Sequence, residues 1–401
     1  MKILVIADFL PYPLVGGASV RIYNILKRVA HNHEISLVAF LDKPSDIKGV
    51  AHLKQFCTHV ETVNFERGGR RLAKLPGMLG YALAGKPPEL KLRHSNELMR
   101  KIKDLASTID FDIVQIEHAH MGLYLETLHP NKFQKSILMF HNFTLQQYGR
   151  VSHVEKRWDR KLRSKLNSIA MGYWEPRYAE KFDHCTTVSE EDRQLLLNAN
   201  PHLQVEVIPN GVDIEKYQPL SSESISPSLL FLGSMGYPPN ADAALYFCKE
   251  IFPLIRQDNK AAELWIVGRD PRPEVLELNN ANVHVTGRVD DVIPYYRKSA
   301  ICVVPLRAGG GTRLKILEAM ALGRPVVSTT IGSEGLEVID NENILIADTP
   351  TQFAEKTICL LRDRELYQRL STNGRKLVET RYSWDPISNR LMELYAGMTT
   401  G

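Results

Sequence analysis

Apolar positions in this chain follow two alternating rhythms. Largely apolar runs of four to six residues lie between polar or glycine-rich stretches: Ile3-Leu4-Val5-Ile6, Ile35-Ser36-Leu37-Val38-Ala39-Phe40, Asp112-Ile113-Val114-Gln115-Ile116, Ile137-Leu138-Met139-Phe140 and Ile301-Cys302-Val303-Val304. Runs of this length read as strands buried on both faces. After the first run, Ile22, Ile25, Leu26 and Val29 recur at helical spacing. The second run then completes a βαβ unit, which implies a parallel sheet. His184-Cys185-Thr186-Thr187-Val188 reads as another strand, followed by a helix that Ser189 caps with Asp192 three residues on. Residues 221–228 have linker composition and separate two α/β regions. The second region alternates strands and helices to about residue 380. No third domain and no short internal repeat is visible.

One stretch carries polar residues that a merely solvated helix does not require. Gly309-Gly310-Gly311 follow the strand at 301–304, and a helix opens behind them. Thr312 reads as its N-cap, Leu314, Leu317 and Ala321 as its buried face, and Gly323 with Pro325 as its stop. A helix N-terminus behind glycines presents free N–H groups and a positive dipole end, which suits a phosphate. Arg313 and Lys315 add two cations there. Lys315 and Glu318 lie on one side of the helix, about 4.5 Å apart along its axis. A diphosphate at the tip would leave a ribose beside Glu318, whose carboxylate accepts two hydroxyl hydrogen bonds. The alternative on spacing alone is a glycine turn before an ordinary helix, with Lys315 and Glu318 as a surface pair. A P-loop is excluded, because no Gly-Lys-Ser/Thr follows at the required spacing, and contiguous glycines fit a dinucleotide fingerprint poorly.

Composition narrows the class. At 401 residues, 44% hydrophobic and 24% charged, the chain suits two soluble globular domains. No apolar run approaches the roughly 20 residues of a spanning helix. Met1-Lys2 leads directly into a strand, so no signal peptide is expected. Five scattered cysteines fit reduced core residues in a cytoplasmic protein better than disulfides or a metal site. The net charge of +4 divides into +6 over residues 1–220 and −2 beyond. That excess is too small to make nucleic acid the expected partner. Residues 66–108 are rich in Arg and Lys, with Leu72, Leu75, Met78 and Leu79 interleaved, and read either as a solvated face or as an amphipathic face for an anionic membrane.

Beyond the glycine stretch, Ile208-Pro209-Asn210-Gly211-Val212-Asp213, Phe231-Leu232-Gly233-Ser234, Leu264-Trp265-Ile266-Val267-Gly268, Val285-Thr286-Gly287-Arg288-Val289 and Tyr382-Ser383-Trp384 occur in order. This set resembles the retaining GT-B glycosyltransferases of family 4. The resemblance implies two Rossmann-like, doubly wound α/β domains. Residues 1–215, with 385–401 packing back on them, would bind the acceptor, and 216–384 would bind a nucleotide diphospho-sugar. It implies donor contacts from Gly310, Gly311, Thr312, Glu318 and Arg288, and from Gly16 and Gly17 in the first domain. Two departures stand out. Family members carry two glutamates with seven residues between them; Glu318 matches the second and Gly310 occupies the place of the first. The loop Gly233 to Asn240 also lacks the usual Arg and Lys, so Arg313 and Lys315 are expected to stabilise the departing diphosphate in their stead. In the first domain the family's His-x-His pattern falls near Glu117, His118 and His120. Glu117 aligns with the histidine that approaches the reacting sugar, and His141 with an acceptor-side position. The resemblance implies metal-independent transfer to a glycan or lipid-linked acceptor with retention, no cofactor, and a cytoplasmic enzyme peripheral to the membrane. Alternatives within the same fold are a nucleotide-sugar epimerase and a degenerate sugar-nucleotide-binding subunit.

Overall fold

The computed structural model describes residues 1–65, 80–81, 86–88, 90–144, 149–151, 154–155, 157–220 and 227–400. The apolar part of the basic run at 66–79, and most of the linker at 221–228, therefore lie outside the described residues.

The chain forms two compact units. The first comprises Met1–Leu145, Lys165–Pro209 and Trp384–Gly401; the second comprises Gln146–Ser164 and Asn210–Ser383. Relative to the expected boundary at 215, residues 146–164 pack with the second unit. Arg150 and Glu155 explain why: they pair with Glu334 and Arg272 of that unit, Glu155 at 3.7 Å.

The first unit holds a seven-stranded parallel sheet: β1 Lys2–Ala7, β2 Glu34–Leu41, β3 His59–Asn64, β4 Phe111–Glu117, β5 Phe133–Met139, β6 His184–Thr187 and β7 Val205–Val207. Their order is β3-β2-β1-β4-β5-β6-β7. The second unit holds six: β8 Ser228–Leu232, β9 Glu263–Val267, β10 Val283–Val285, β11 Ile301–Val304, β12 Val326–Ser328 and β13 Leu345–Ile346, in the order β10-β9-β8-β11-β12-β13. All pairings within both sheets are parallel. The runs read as doubly buried strands are so: Ile3 through Ile6 and Ile301 through Val304 are essentially inaccessible. Each sheet reverses winding direction once, at β1/β4 and at β8/β11. Open α/β sheets bind ligands beyond the strand C-termini at such a point.

The segment Trp384–Thr400 is helical, and Trp384, Ile387, Leu391, Tyr395 and Met398 enter the same core as Ile3, Val5, Ile22 and Ile25. Cys57, Cys185, Cys248, Cys302 and Cys359 are all free thiols.

Candidate active site

Polar groups gather at both winding reversals. In the second unit the loop after β8 is held by close approaches that only glycine permits. A Cβ on Gly268, whose φ is 154°, would stand 1.7 Å from the Gly233 carbonyl oxygen. A Cβ on Gly233 would meet the Asn240 side-chain amide at 2.7 Å. Asn240 thus closes the loop, its Nδ2 donating to the Ser234 carbonyl at 3.0 Å. Its Oδ1 accepts from Lys315 Nζ at 3.1 Å. The Lys315 ammonium also lies 4.7 Å from the centre of the Phe231 ring. Lys315, on the helix Leu314–Ala321, thus places its ammonium at the 233–240 loop. Burial pulls the Lys315 pKa down to about 7.

The helix begins one residue later than its sequence suggests. Arg313, not Thr312, is the N-cap, with φ −95° and ψ 93°. Thr312 Oγ1 is instead engaged by Asn210 Nδ2 at 2.5 Å. Gly309 and Gly311 have φ of 129° and 69°, values that favour glycine. Arg313 is buried and curls back over this loop, its Nη1 donating to the carbonyls of Gly310 and Gly311. A second cation supports the same loop: Arg150 Nη1 donates to the Gly309 carbonyl at 3.2 Å while its guanidinium pairs with Glu334. Sequence reading gave no sign of Arg150, which lies 159 residues before its loop partner.

Glu318 is three residues beyond Lys315, and two buried phenols converge on it. Tyr217 donates to Oε1 at 3.3 Å, and Tyr296 lies 3.5 Å from Oε2. Burial raises the Glu318 pKa to about 7, against the opposing hydrogen bond from Tyr217 and the charges of Lys216 and Lys315. Arg288 is exposed beyond the edge strand β10, and Arg269 is exposed beyond β9.

In the first unit, Asp8 follows β1 and Glu117 ends β4, adjacent strands at the reversal. Asp8 gathers three basic side chains: His118 Nδ1 at 3.2 Å, His120 Nε2 at 3.0 Å and Arg93 Nη2 at 3.7 Å. His118 has φ 72°, uncommon for a residue other than glycine, and its ring stacks on His141 at 3.9 Å. Burial disfavours charge on Asp8, yet His118 and His120 outweigh it and hold the carboxyl well below its ordinary pKa. In return Asp8, with Glu117, overcomes the burial of His118 and raises its pKa. Burial lowers that of His120 despite Asp8. The result is a carboxylate paired with a favoured imidazolium at a strand terminus.

Glu117 lies beneath this pair and is fully buried. Gln115 Nε2 donates to its Oε1 at 2.6 Å, and His141 Nε2 to its Oε2 at 2.6 Å. Burial, then the charge of His118, drives the His141 pKa down to about 4, so the neutral imidazole donates to an ionised carboxylate. Tyr395 in turn donates to Gln115 Oε1. Glu117 and His141 thus form an inner layer, and the partly exposed His118 and His120 an outer one. Glu117, expected near the reactive position, has both its oxygens engaged by side chains of the fold. The sequence shows Asp8 only as the polar end of a strand. Its partners emerge from strand order.

Gly16 caps the helix Gly17–Val29 with a fully extended φ of 178°, so no left-handed turn explains the glycine there. A Cβ on it would meet nothing within 4 Å. Ser19 Oγ accepts from the Val15 and Gly16 amides at 2.9 and 3.0 Å and fixes the loop. Three described cations of the basic run are paired with acids: Lys86 with Glu126 at 3.8 Å, Arg93 with Asp8, and Lys101 with Glu61 at 2.5 Å.

Comparison with known proteins bears on this arrangement. Residues 15–216 match the model of Glycosyltransferase Family 4, and residues 226–363 that of Glycosyl transferases group 1. A protein of the cps region of Klebsiella pneumoniae is 22% identical over 394 residues, covering 95% of this chain and 96% of its own. Among solved structures, sucrose-phosphate synthase of Thermosynechococcus elongatus superposes with a TM-score of 0.74 at 18% identity over the whole of both chains. HepE of Anabaena, solved with UDP and glucose, gives 0.67 at 16% identity, covering 99% of this chain and 100% of that one. With a family model spanning half its length, and two doubly wound sheets that are polar at their winding reversals, the chain belongs to the group 1 glycosyltransferases of family 4 and has the GT-B fold.

Proposed function

We propose that this glycosyltransferase moves a sugar from a nucleotide diphospho-sugar to a glycan or lipid-linked acceptor, without a metal and with retention of anomeric configuration. Residues 216–384 take the donor, and residues 1–215 with 385–401 the acceptor. The observation that carries the reading is the Lys315–Asn240 contact with Glu318 one turn further along the same helix. A cation reaches the loop after β8, and a carboxylate stands where a ribose would follow a diphosphate. HepE, of the same fold, was solved with UDP, which supports a nucleoside diphosphate as the ligand class.

In the proposed reaction the bond between the anomeric carbon and the phosphate oxygen breaks, and a bond to the acceptor oxygen forms on the same face. The acceptor proton passes to the departing phosphate oxygen. Negative charge grows on the diphosphate as the first bond breaks. Lys315, the N-terminus of the helix Leu314–Ala321 and the guanidinium of Arg313 offset it from fixed positions. Gly310 and Gly311 amides and Gly16 and Gly17 leave room for close approach of the donor. His118, whose protonated form Asp8 favours, and His120 face the sugar and acceptor, while Glu117 and His141 position them. A lipid-linked acceptor would bring the enzyme to an anionic membrane surface.

The test is calorimetric titration with UDP- and GDP-sugars, then mass detection of transfer to lipid and oligosaccharide acceptors in EDTA, with NMR assignment of the new anomeric centre. An epimerised donor produced without acceptor would replace this reading with a nucleotide-sugar epimerase. Binding without transfer would leave a sugar-nucleotide-binding subunit. An inverted product would overturn retention.

A further inference from the structure

The helix Trp158–Ala179 presents an uncovered apolar stripe. Trp158, Leu162, Leu166, Ile169 and Tyr173 are 51–78% exposed, and they are five of the seven large apolar side chains at least 51% exposed among the described residues. At 3.6 residues per turn the five fall within an arc of about 80° on one helix face. Met171, Trp174 and Tyr178, roughly on the opposite face, are buried. The stripe is therefore not a core face left partly open. It is a second, outward face with the side chains of a core.

What covers it follows from charge. Among the described side chains of residues 157–177, the exposed charged ones are Arg157, Arg160, Lys161, Lys165 and Arg177, and none is acidic. Lys161 and Lys165 border the stripe on one side. Arg177 borders it on the other, its guanidinium 3.5 Å from the centre of the Tyr173 ring. Trp158 and Tyr173 stand near its two ends, where amphipathic rings favour a boundary between apolar and wet surroundings. Were a second copy to cover the stripe, these cations would meet their own like, with no exposed acid among the described side chains of the helix to pair. An anionic lipid surface supplies both an apolar layer and the opposite charge.

We propose that the Trp158–Ala179 helix docks this enzyme on an anionic bilayer, lying in the interface with its stripe beneath the headgroups and Lys161, Lys165 and Arg177 among them. The inference stands apart from the donor and acceptor assignments, since it concerns surface residues given no part in transfer. Among the described residues no helix is long and apolar enough to cross a membrane, so the association would be peripheral.

The experiment is flotation of the full chain with phosphatidylcholine vesicles, with and without phosphatidylglycerol, and no donor present. Binding is expected only to the anionic vesicles, weakening at about 1 M salt, where screening shortens to roughly 3 Å. Leu166→Asn with Ile169→Asn should lower the bound fraction at least tenfold at an unchanged melting temperature. Lys161→Gln with Lys165→Gln should lower it chiefly at low salt. As a readout of insertion by the stripe, the vesicle-induced blue shift of tryptophan emission should vanish in Trp158→Phe while flotation persists. Three results would each overturn the proposal: no flotation with anionic vesicles, Asn variants that float as wild type, or a lipid-free dimer in sedimentation velocity that the Asn pair abolishes.

Discussion

Removal of the Glu318 carboxylate gives the sharpest test of the donor site. In Glu318→Ala the helix Leu314–Ala321 gains the better helix former. Tyr296 keeps a partner, because its hydroxyl also donates to the Lys315 carbonyl at 3.0 Å. Tyr217 loses its acceptor, at a cost of about 1–3 kcal/mol, offset by the relief of a carboxylate that burial already disfavours. The variant should therefore fold with a melting temperature near that of wild type. Its loss appears in binding. A charge-assisted hydrogen bond contributes about 1.5–3 kcal/mol, so UDP or GDP affinity should fall roughly tenfold to a hundredfold. The pH dependence identifies the cause. With a pKa of about 7, Glu318 is mostly ionised at pH 8.5 and mostly protonated at pH 5.5. The difference between wild type and Glu318→Ala should be full at the higher pH and shrink at the lower. Calorimetry at both values, with circular dichroism as the fold control, decides the matter. A folded Glu318→Ala that binds the nucleoside diphosphate as wild type at pH 8.5 would falsify the placement of the ribose.

Arg313→Ala should lower single-turnover transfer by about two to three orders of magnitude with a smaller loss of donor affinity, and Arg313→Lys should recover only part, lacking the planar fork. A near-normal Arg313→Ala rate beside a collapsed Arg269→Ala or Arg288→Ala rate would show that the diphosphate lies on another loop. Lys315 binds an anion best when protonated, so in a Glu318→Ala background, where the carboxylate's own titration is removed, donor affinity should decline as pH rises above about 7, and adding Lys315→Met should abolish that decline; a slope that persists points to another group. Asp8→Asn removes the carboxylate that raises the His118 pKa, so the basic limb of the transfer rate should move to lower pH, with unchanged limbs counting against a cationic His118. The same substitution separates a stability effect. The Asp8 pKa is depressed by folding, so its contribution is present above about pH 4 and lost as pH falls toward the native value, and the melting temperatures of Asp8→Asn and wild type should converge in acid.

What could be read from sequence was what local pattern encodes. Buried runs such as Ile3 to Ile6 announce a strand because every residue must be apolar when both faces are covered. Gly309 and Gly311 announce a special backbone because few other residues adopt their φ. The direction of a side chain is set by finer differences. Moving the N-cap from Thr312 to Arg313 is one residue, within the ordinary uncertainty of helix ends. Yet it turns the guanidinium onto the loop carbonyls and leaves Lys315 to reach Asn240. Arg93, Asp8 and His118 belong to three separate segments, and only the order of β1 beside β4 brings them together. Whether the face bearing Leu166 and Ile169 is covered depends on everything packed around it. No window of sequence contains that information.

The helix Trp384–Thr400 imposes a schedule on synthesis. It fills the core around Ile3, Val5 and Ile22, and through Tyr395 and Gln115 it reaches Glu117. At about 5–20 residues per second, the ribosome delivers it roughly 10–40 seconds after Pro209, the last earlier residue of that unit. Until then the first sheet leaves the ribosome with one flank bare, while the complete second unit emerges and can fold. The nascent first unit thus waits with apolar core uncovered, whereas the second is complete once Ser383 has emerged. A fragment ending near residue 215 would keep that flank bare permanently, and should be recovered in inclusion bodies unless the Trp384–Thr400 segment is supplied alongside it.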